Sequence, residues 1–373
     1  MKPSLILLLL VISSMAWAQQ PEFFNANGRF ILNTDKARTA SVATGDIDND
    51  GDLDVIVANG RHWPDQNEVF FNNGRGTFTV SKPLDLLSET SYAAELADLD
   101  NDGDLDIAVG NDRAPNGIYL NDGQGNFARS GNFGGDYTPT RNLTLADLDQ
   151  DGDVDILVTN RGTANEICLN DGNGSFEKVI AFGASDDSTI AVQAHDMDND
   201  GDNDLILANR DGQPNFVYLN DGQLNFDQKV PFGTGSDETR SVAVADINAD
   251  SYPDIVTANI GEPNVIYFGD SQGQYSKAIT YDSKNNRTYA VSLADLDNDR
   301  DLDIICGNSP GTNQIFFNQG DGKGWALLEL SKSKFSTYDI IAADINNDGR
   351  PEIIEANSDE RNLYYINRPP RGN

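Results

Sequence analysis

The sequence predicts an all-β protein, a seven-bladed β-propeller of four-stranded blades closed by an N-terminal strand that completes the last blade. Three observations lead there. One acidic string recurs seven times at a period of 49 to 52 residues, starting at Asp46, Asp98, Asp147, Asp196, Asp246, Asp295 and Asp344. Each copy lies among short alternating apolar segments punctuated by Asn, Asp and Gly, the pattern of strands joined by tight turns. The last copy stops short of its fourth segment, while an orphan Asn27-Gly28-Arg29-Phe30 precedes the first.

The elements follow in chain order. Lys2, the apolar run Leu5 to Ile12 and Ala16-Trp17-Ala18 form a secretory signal peptide over 1–18, cut after Ala18. The run is too short to span a bilayer. The expected product is therefore secreted or periplasmic, without membrane insertion. Residues 19–373 form the propeller, with blades at about 38–86, 87–138, 139–187, 188–237, 238–286, 287–335, and 336–367 completed by 25–34. The third copy shows the unit. Asn142 to Ala146 precede the acidic loop, Asp155 to Thr159 follow it, Ile167-Cys168-Leu169 come third, and the turn Asn170 to Gly174 leads through Phe176 into a fourth segment. Four short strands in about 50 residues make one propeller blade. Pairing both chain ends in one sheet removes an exposed edge. Cys168 and Cys306 fall three blades apart, beyond disulfide reach, and are read as small buried residues.

The 60 acidic and 26 basic side chains give a formal net charge of −34. That balance excludes nucleic acid, whose phosphates need Lys and Arg, and docking on anionic lipid. Much of the acidity is in the loops. DLDQDGDVD, from Asp147, places carboxylates at positions 1, 3, 5 and 9 with Gly152 at position 6. Alternating oxygen ligands suit a hard cation with six to eight donors, which is calcium. Without a cation these carboxylates repel one another.

The expected metal residues are Asp46, Asp48, Asp50, Asp52 and Asp54 in the first loop and Asp98, Asp100, Asp102, Asp104 and Asp106 in the second. Asp147, Asp149, Asp151, Asp153 and Asp155 follow in the third, and Asp196, Asp198, Asp200, Asp202 and Asp204 in the fourth. Position 7 is assigned through its backbone carbonyl. Three altered loops add Asp246, Asn248, Asp250 and Asp254, then Asp295, Asp297, Asp299 and Asp303, then Asp344, Asn346, Asp348 and Glu352. Ser251 and Arg300 replace the glycine in loops five and six. The intact loops predict four calcium sites, and all loops together up to seven. The flanking strands exclude an EF-hand, and the period excludes the nine-residue calcium β-roll.

The repeats resemble the FG-GAP and VCBS-type repeats of bacterial exported proteins and of the integrin α-subunit N-terminal propeller, through D-x-D-x-D-G-x-x-D between the first and second strands. The resemblance implies a seven-bladed propeller with calcium in these loops. It is also similar to fungal lectins that bind sugars between blades, and to propellers used by some polysaccharide lyases.

The opposite face carries the variable sequence. The connections between second and third strands bring Arg61, Trp63, Arg113, Arg161 and Arg210, and the inter-blade segments bring Arg38, Arg141, Arg240 and Arg287. One reading is a surface that grips an anionic glycan or protein through guanidinium forks, with Trp63, Tyr92, Tyr137 and Tyr289 as stacking planes. The other is that these arginines pair with neighbouring loop acids and brace adjacent blades. The paired asparagines, such as Asn160 and Asn165, are read as loop hydrogen-bonders. Neither His62 nor His195 sits in a recognisable catalytic motif. The expectation is a monomeric binding or adhesion module, with a lyase-type polysaccharide-degrading enzyme as the alternative.

Overall fold

The computed structural model describes residues 20–282, 284 and 286–370. The expected signal peptide lies outside the described residues. Within them the chain forms strands and turns, with no helix. Five four-stranded antiparallel sheets and one eight-stranded sheet follow one another along the chain. In the sheet of the third repeat, Thr140–Ala146, Asp155–Asn160, Asn165–Leu169 and Lys178–Phe182 pair in sequence order. The first strand of that sheet packs beside the first strands of the sheets before and after it, and this inner wall runs unbroken from Ala37–Gly45 to Thr337–Ala343. Thr337–Ala343 in turn packs against Ala37–Gly45, so the wall closes on itself.

Burial follows from this stacking. The second strands, such as Asp155–Asn160 and Asp204–Asn209, are buried along their whole length because both faces meet a neighbouring sheet. Their continuous Ile, Leu and Val runs meet that requirement. The apolar clusters lie between successive sheets: Leu157, Ile167 and Leu169 pack with Val192, Leu205 and Tyr218. Another cluster joins Val42, Val55 and Val57 near the N-terminus to Ile345, Ile354 and Tyr364 near the C-terminus.

Polar pairs repeat the same join. Asn165 accepts the Asn160 N–H at 2.8 Å and donates through Nδ2 to Thr189 Oγ1 on the next inner strand at 3.1 Å. The equivalent bonds Asn215 to Thr239, Asn264 to Thr288 and Asn313 to Thr337 continue the series, and Asn362 to Thr39 closes it at 2.9 Å. All of these groups are buried, which leaves each pair hydrogen-bonded where water is excluded. The asparagines are thus hydrogen-bonders, as their spacing predicts.

The N-terminus does complete the last sheet, but in a different register. The paired strand is Glu22–Phe24, against Arg368, Asn367 and Ile366. Asn27-Gly28-Arg29-Phe30 forms a turn instead, with only Ile31 bridging back to Leu363. Asn27 and Gly28 both take left-handed φ, 61° and 78°, which bends the chain where a strand was expected. Phe30 stacks on Tyr364 with ring centroids 5.2 Å apart, anchoring the turn. The eight-stranded sheet arises because Ala37 and Arg38 pair with Glu360 and Ser358. Cys168 and Cys306 are buried, free and on separate sheets.

Candidate functional site

The acidic loops share one hydrogen-bonded frame. In the first, Asp46 Oδ1 accepts the Asp50 N–H at 3.0 Å and Oδ2 the Gly51 N–H at 3.1 Å. Asp50 accepts the Asp52 N–H at 3.0 Å. Position 9 ties the loop to its own sheet. Asp54 accepts the Ile47 N–H at 3.1 Å and the Asn72 N–H at 2.8 Å. Asp106, Asp155, Asp204, Asp254, Asp303 and Glu352 repeat that double bond. The frame persists where the glycine is lost: Ser251 and Arg300 hold φ of 74° and 78° and still donate to Asp246 and Asp295.

The frame brings carboxylates together. Asp46, Asp48 and Asp50 place one oxygen each within 4.8 Å of one another, as do Asp98, Asp100 and Asp106. So do Asp147, Asp149 and Asp155, then Asp196, Asp198 and Asp204, then Asp295, Asp297 and Asp299. Within these groups the Oδ1 atoms of Asp48, Asp100, Asp147 and Asp297 are buried without a hydrogen-bond partner. Burial, then the neighbouring carboxylates, pushes Asp297 up to about 6. Burial also raises Asp54 to about 7, Asp155 to about 6 and Asp303 to about 8, partly offset by the backbone N–H groups. Convergent, desolvated, unpartnered carboxylate oxygens are the donor set of a hard divalent cation.

Loops five and seven differ. Asn248 Oδ1 in loop five is buried and unpartnered like its aspartate counterparts. In loop seven Asn346 turns its amide to donate to Glu352 at 2.8 Å, so its side chain is already engaged. Position 7 has a separate task for its side chain. Asp104, Asp153 and Asp202 accept from Asn49, Asn101 and Gln150 of the preceding loop, each at 2.7 Å, and Asp52 accepts from Asn347 at 3.0 Å. The carboxylate of Asp153 also lies against Gly172, where a Cβ would come within 2.7 Å of it. Among the described residues, no position 7 carboxylate joins a three-carboxylate cluster, in keeping with a role for that position through its backbone carbonyl. Sequence reading missed this bridge, whose signal was the amide side chain at position 4: Asn49, Asn101, Gln150 and Asn347.

At the other end of the second strands the arginines divide. Arg141 pairs with Asp112 at 2.9 Å and Arg161 with Asp211 at 2.8 Å, each spanning two sheets, and Arg38 with Asp359 at 2.7 Å between the first and last repeats within the eight-stranded sheet. Arg210 meets Glu238 only at 3.8 Å. These four brace adjacent repeats. Arg287 donates to Ser309 O and Tyr289 Oη, and Arg113 is exposed at a bend. Arg61 bonds Ser358 Oγ and lies 3.9 Å over the Tyr338 ring. Arg240 has no hydrogen bond or ion pair among the described residues, and burial together with Arg210 pushes it down to about 10.

Arg61, Arg141, Arg161, Arg210 and Arg240 line a cavity of about 150 Å³ with His62, Tyr92, Tyr289 and Tyr338. The expected stacking planes are only partly available. Trp63 and Tyr137 are exposed, but Tyr92 and Tyr289 are buried and have guanidinium groups over their rings. Tyr92 Oη hydrogen-bonds His62 Nδ1 at 2.8 Å. Tyr338 was missed by sequence reading, although it occupies the same repeat position as Arg141, Arg240 and Tyr289. His195 is exposed beside the fourth loop.

Comparison with known proteins bears on the fold. A model of the FG-GAP-like repeat matches residues 46–109, 98–158, 147–207, 196–257, 246–306 and 295–355. Among solved structures, the chain is similar to BBS1N in complex with ARL6DN, soaked with lead, at 13% identity and a TM-score of 0.64, covering 95% of this chain and 99% of that one. The mercury-soaked form of the same complex matches at 14% identity with the same TM-score and coverage. No curated protein matches the chain in sequence. At such identities the structural likeness shows the fold alone.

Proposed function

The chain belongs to the FG-GAP-like repeat family, and from that premise we propose that it is an exported, calcium-braced propeller of seven blades whose face opposite the acidic loops captures a glycan or protein ligand. The blade count divides the eight-stranded sheet at its two-pair junction. It is supported by the recurrence of the same inter-sheet cluster between every successive pair of repeats, including the last and the first.

The observation that carries the calcium reading is the set of buried, unpartnered Oδ1 atoms inside three-carboxylate clusters. Calcium would be held in loops one to four and six by the residues at positions 1, 3, 5 and 9 with the position 7 carbonyl, and in loop five with Asn248 in place of an aspartate. Its contribution there is charge neutralisation and a cross-link between the two strands of each loop. A cation that binds only the folded loop at about a hundred times its dissociation constant adds about 2.7 kcal/mol per site.

The ligand face lies at the far end of the same strands, so calcium fixes the blades without occupying the recognition surface. A protein ligand is in keeping with BBS1N, which was solved in complex with ARL6DN. A glycan ligand is supported by exposed Trp63, with the Arg38 guanidinium 5.7 Å over its ring, and by exposed Tyr137. Binding to glycan arrays and capture from surface extracts, each with calcium and with a chelator, tests the reading. Retained monomeric folding with no ligand in either format opposes it.

The enzyme alternative rests on His62 and Tyr92. Burial and the nearby Arg61 lower the His62 pKa, which keeps the imidazole neutral and able to accept a proton. Release of unsaturated sugars from an acidic polysaccharide, abolished in His62→Ala, supports a lyase; its absence from all substrates supports the binding module.

A further inference from the structure

The cavity wall has an origin in the backbone. The pairing between first and second strands slips once in every repeat, and always at the same place. Thr140 opposes Asn160 and Asn142 opposes Thr159, leaving Arg141 out of the ladder. The same slip leaves out Tyr92, Ile190, Arg240, Tyr289 and Tyr338, and near the N-terminus Ala40. A bulge re-aims the side chain it carries. Six of these seven bulged residues line the one cavity, and Arg61 and His62 also line it, beside the sheet whose bulge carries only an alanine.

The charges in that cavity do not balance. Five guanidinium groups line it. Arg141, Arg161 and Arg210 have Asp112, Asp211 and Glu238 as counter-charges. Arg61 and Arg240 have no carboxylate oxygen within 4.0 Å among the described residues. The Arg210 Nε is buried with no hydrogen-bond acceptor. Asp339, lower on the inner wall, acts on Arg240 at longer range and spends its own oxygens on the Val42 and Ile340 N–H groups. Burying unpaired cations is unfavourable unless an anion completes the site.

We propose that this bulge-lined cavity is a binding site for a single oxyanion group of one or two negative charges, a carboxylate or sulfate, either free or as the acidic group of a larger ligand. The inference deepens the ligand-face reading and rests on it. The two unmatched guanidinium groups set the charge. The planar forks and the Tyr hydroxyls set the preference for oxygen acceptors over halide. The cavity volume admits one such group with little more, so the rest of a longer ligand would lie outside it.

The test is calorimetric titration of the calcium-loaded full-length chain with sodium acetate, sodium glucuronate and sodium sulfate, at ionic strength held constant with chloride. The variants are Arg240→Gln, Arg61→Gln and, as a surface control outside the cavity, Arg361→Gln, at an exposed position between the last two strands. Saturable binding of at least one anion is expected, weakened about tenfold or more in Arg240→Gln and in Arg61→Gln and unchanged in Arg361→Gln. Glucuronate tighter than acetate assigns a sugar acid; sulfate tighter than both assigns a sulfated ligand. Unliganded Arg240→Gln melts no lower than the parent, which separates a lost contact from a lost fold. Absence of saturable binding up to about 20 mM of all three anions, or equal weakening by Arg361→Gln, overturns the proposal. Anion binding with no partner in the array and capture screens leaves the cavity and removes the partner reading; partner capture without anion binding does the reverse.

Discussion

Asp149→Ala and Asp155→Ala separate what calcium does from what the loop frame does. Asp155 is 1% exposed and accepts the Leu148 and Asn170 N–H groups at 3.0 and 2.8 Å. Truncation strands two buried donors, at about 1–3 kcal/mol each. Burial has raised that carboxyl to about 6, so removing it returns part of the cost, and the net loss is about 2–3 kcal/mol. That loss persists without metal. Asp149 is exposed and does not join the two strands. Its removal costs up to about 2.7 kcal/mol when calcium stands at a hundred times its dissociation constant. In chelator the same change is neutral or slightly stabilising, because one like charge leaves the cluster. Urea unfolding followed by tryptophan fluorescence, in millimolar calcium and in chelator, gives the four numbers required. A loss for Asp149→Ala that is equal in both buffers would show that the carboxylate supports the loop directly, and the ligand assignment would fail.

Arg300→Gly and Ser251→Gly remove side chains from left-handed positions. The relief of about 1 kcal/mol, less the added chain entropy of glycine, leaves a gain of about 0.5 kcal/mol each, read as a higher melting temperature. Asp153→Ala breaks the 2.7 Å bond from Asn101 and lowers stability by about 1 kcal/mol, yet mass spectrometry under native conditions finds the parent's calcium count, because the Asp153 carboxylate lies outside the Asp147, Asp149 and Asp155 cluster. Glu355 is fully buried, receives the Asn313 amide at 2.7 Å, and is raised to about 7 by burial. Its folded pKa lies above the unfolded one, so the stability it contributes is present below about pH 4 and is lost as pH rises through 7. In chelator, Glu355→Gln flattens the fall in stability between about pH 5 and 7; an unchanged pH profile contradicts the assignment.

The features legible in the sequence are those set by local chemistry. The period, the strands flanking each loop, the asparagine pairs and the separation of Cys168 from Cys306 all follow from residue type and spacing. The features that were not legible depend on register. Arg38 and Arg141 look equivalent in sequence, each close to an inner-strand threonine. Arg38 precedes Thr39 and pairs with Asp359, whereas Arg141 follows Thr140 at the bulge and reaches the cavity. The two positions differ by two residues, which alone would keep the same face of a strand; the bulge that carries Arg141 is what turns it into the cavity. The N-terminal strand shifted for a similar reason: the glycine motif that begins a fourth strand elsewhere becomes a turn here, and pairing falls on Glu22–Phe24. The position 7 carboxylates were assigned to loops through their backbone, but their side chains join neighbouring loops, a contact that only the assembled ring creates.

Calcium stoichiometry is the most direct test of the account. The purified chain is equilibrated by dialysis against millimolar calcium, and bound metal per chain is measured by elemental analysis alongside the melting temperature before and after chelation. Five ions, one for each three-carboxylate cluster, with a sixth if loop five also fills, and a melting temperature that falls on chelation, are the predicted result. A chain that retains no calcium and melts at the same temperature in both buffers contradicts it.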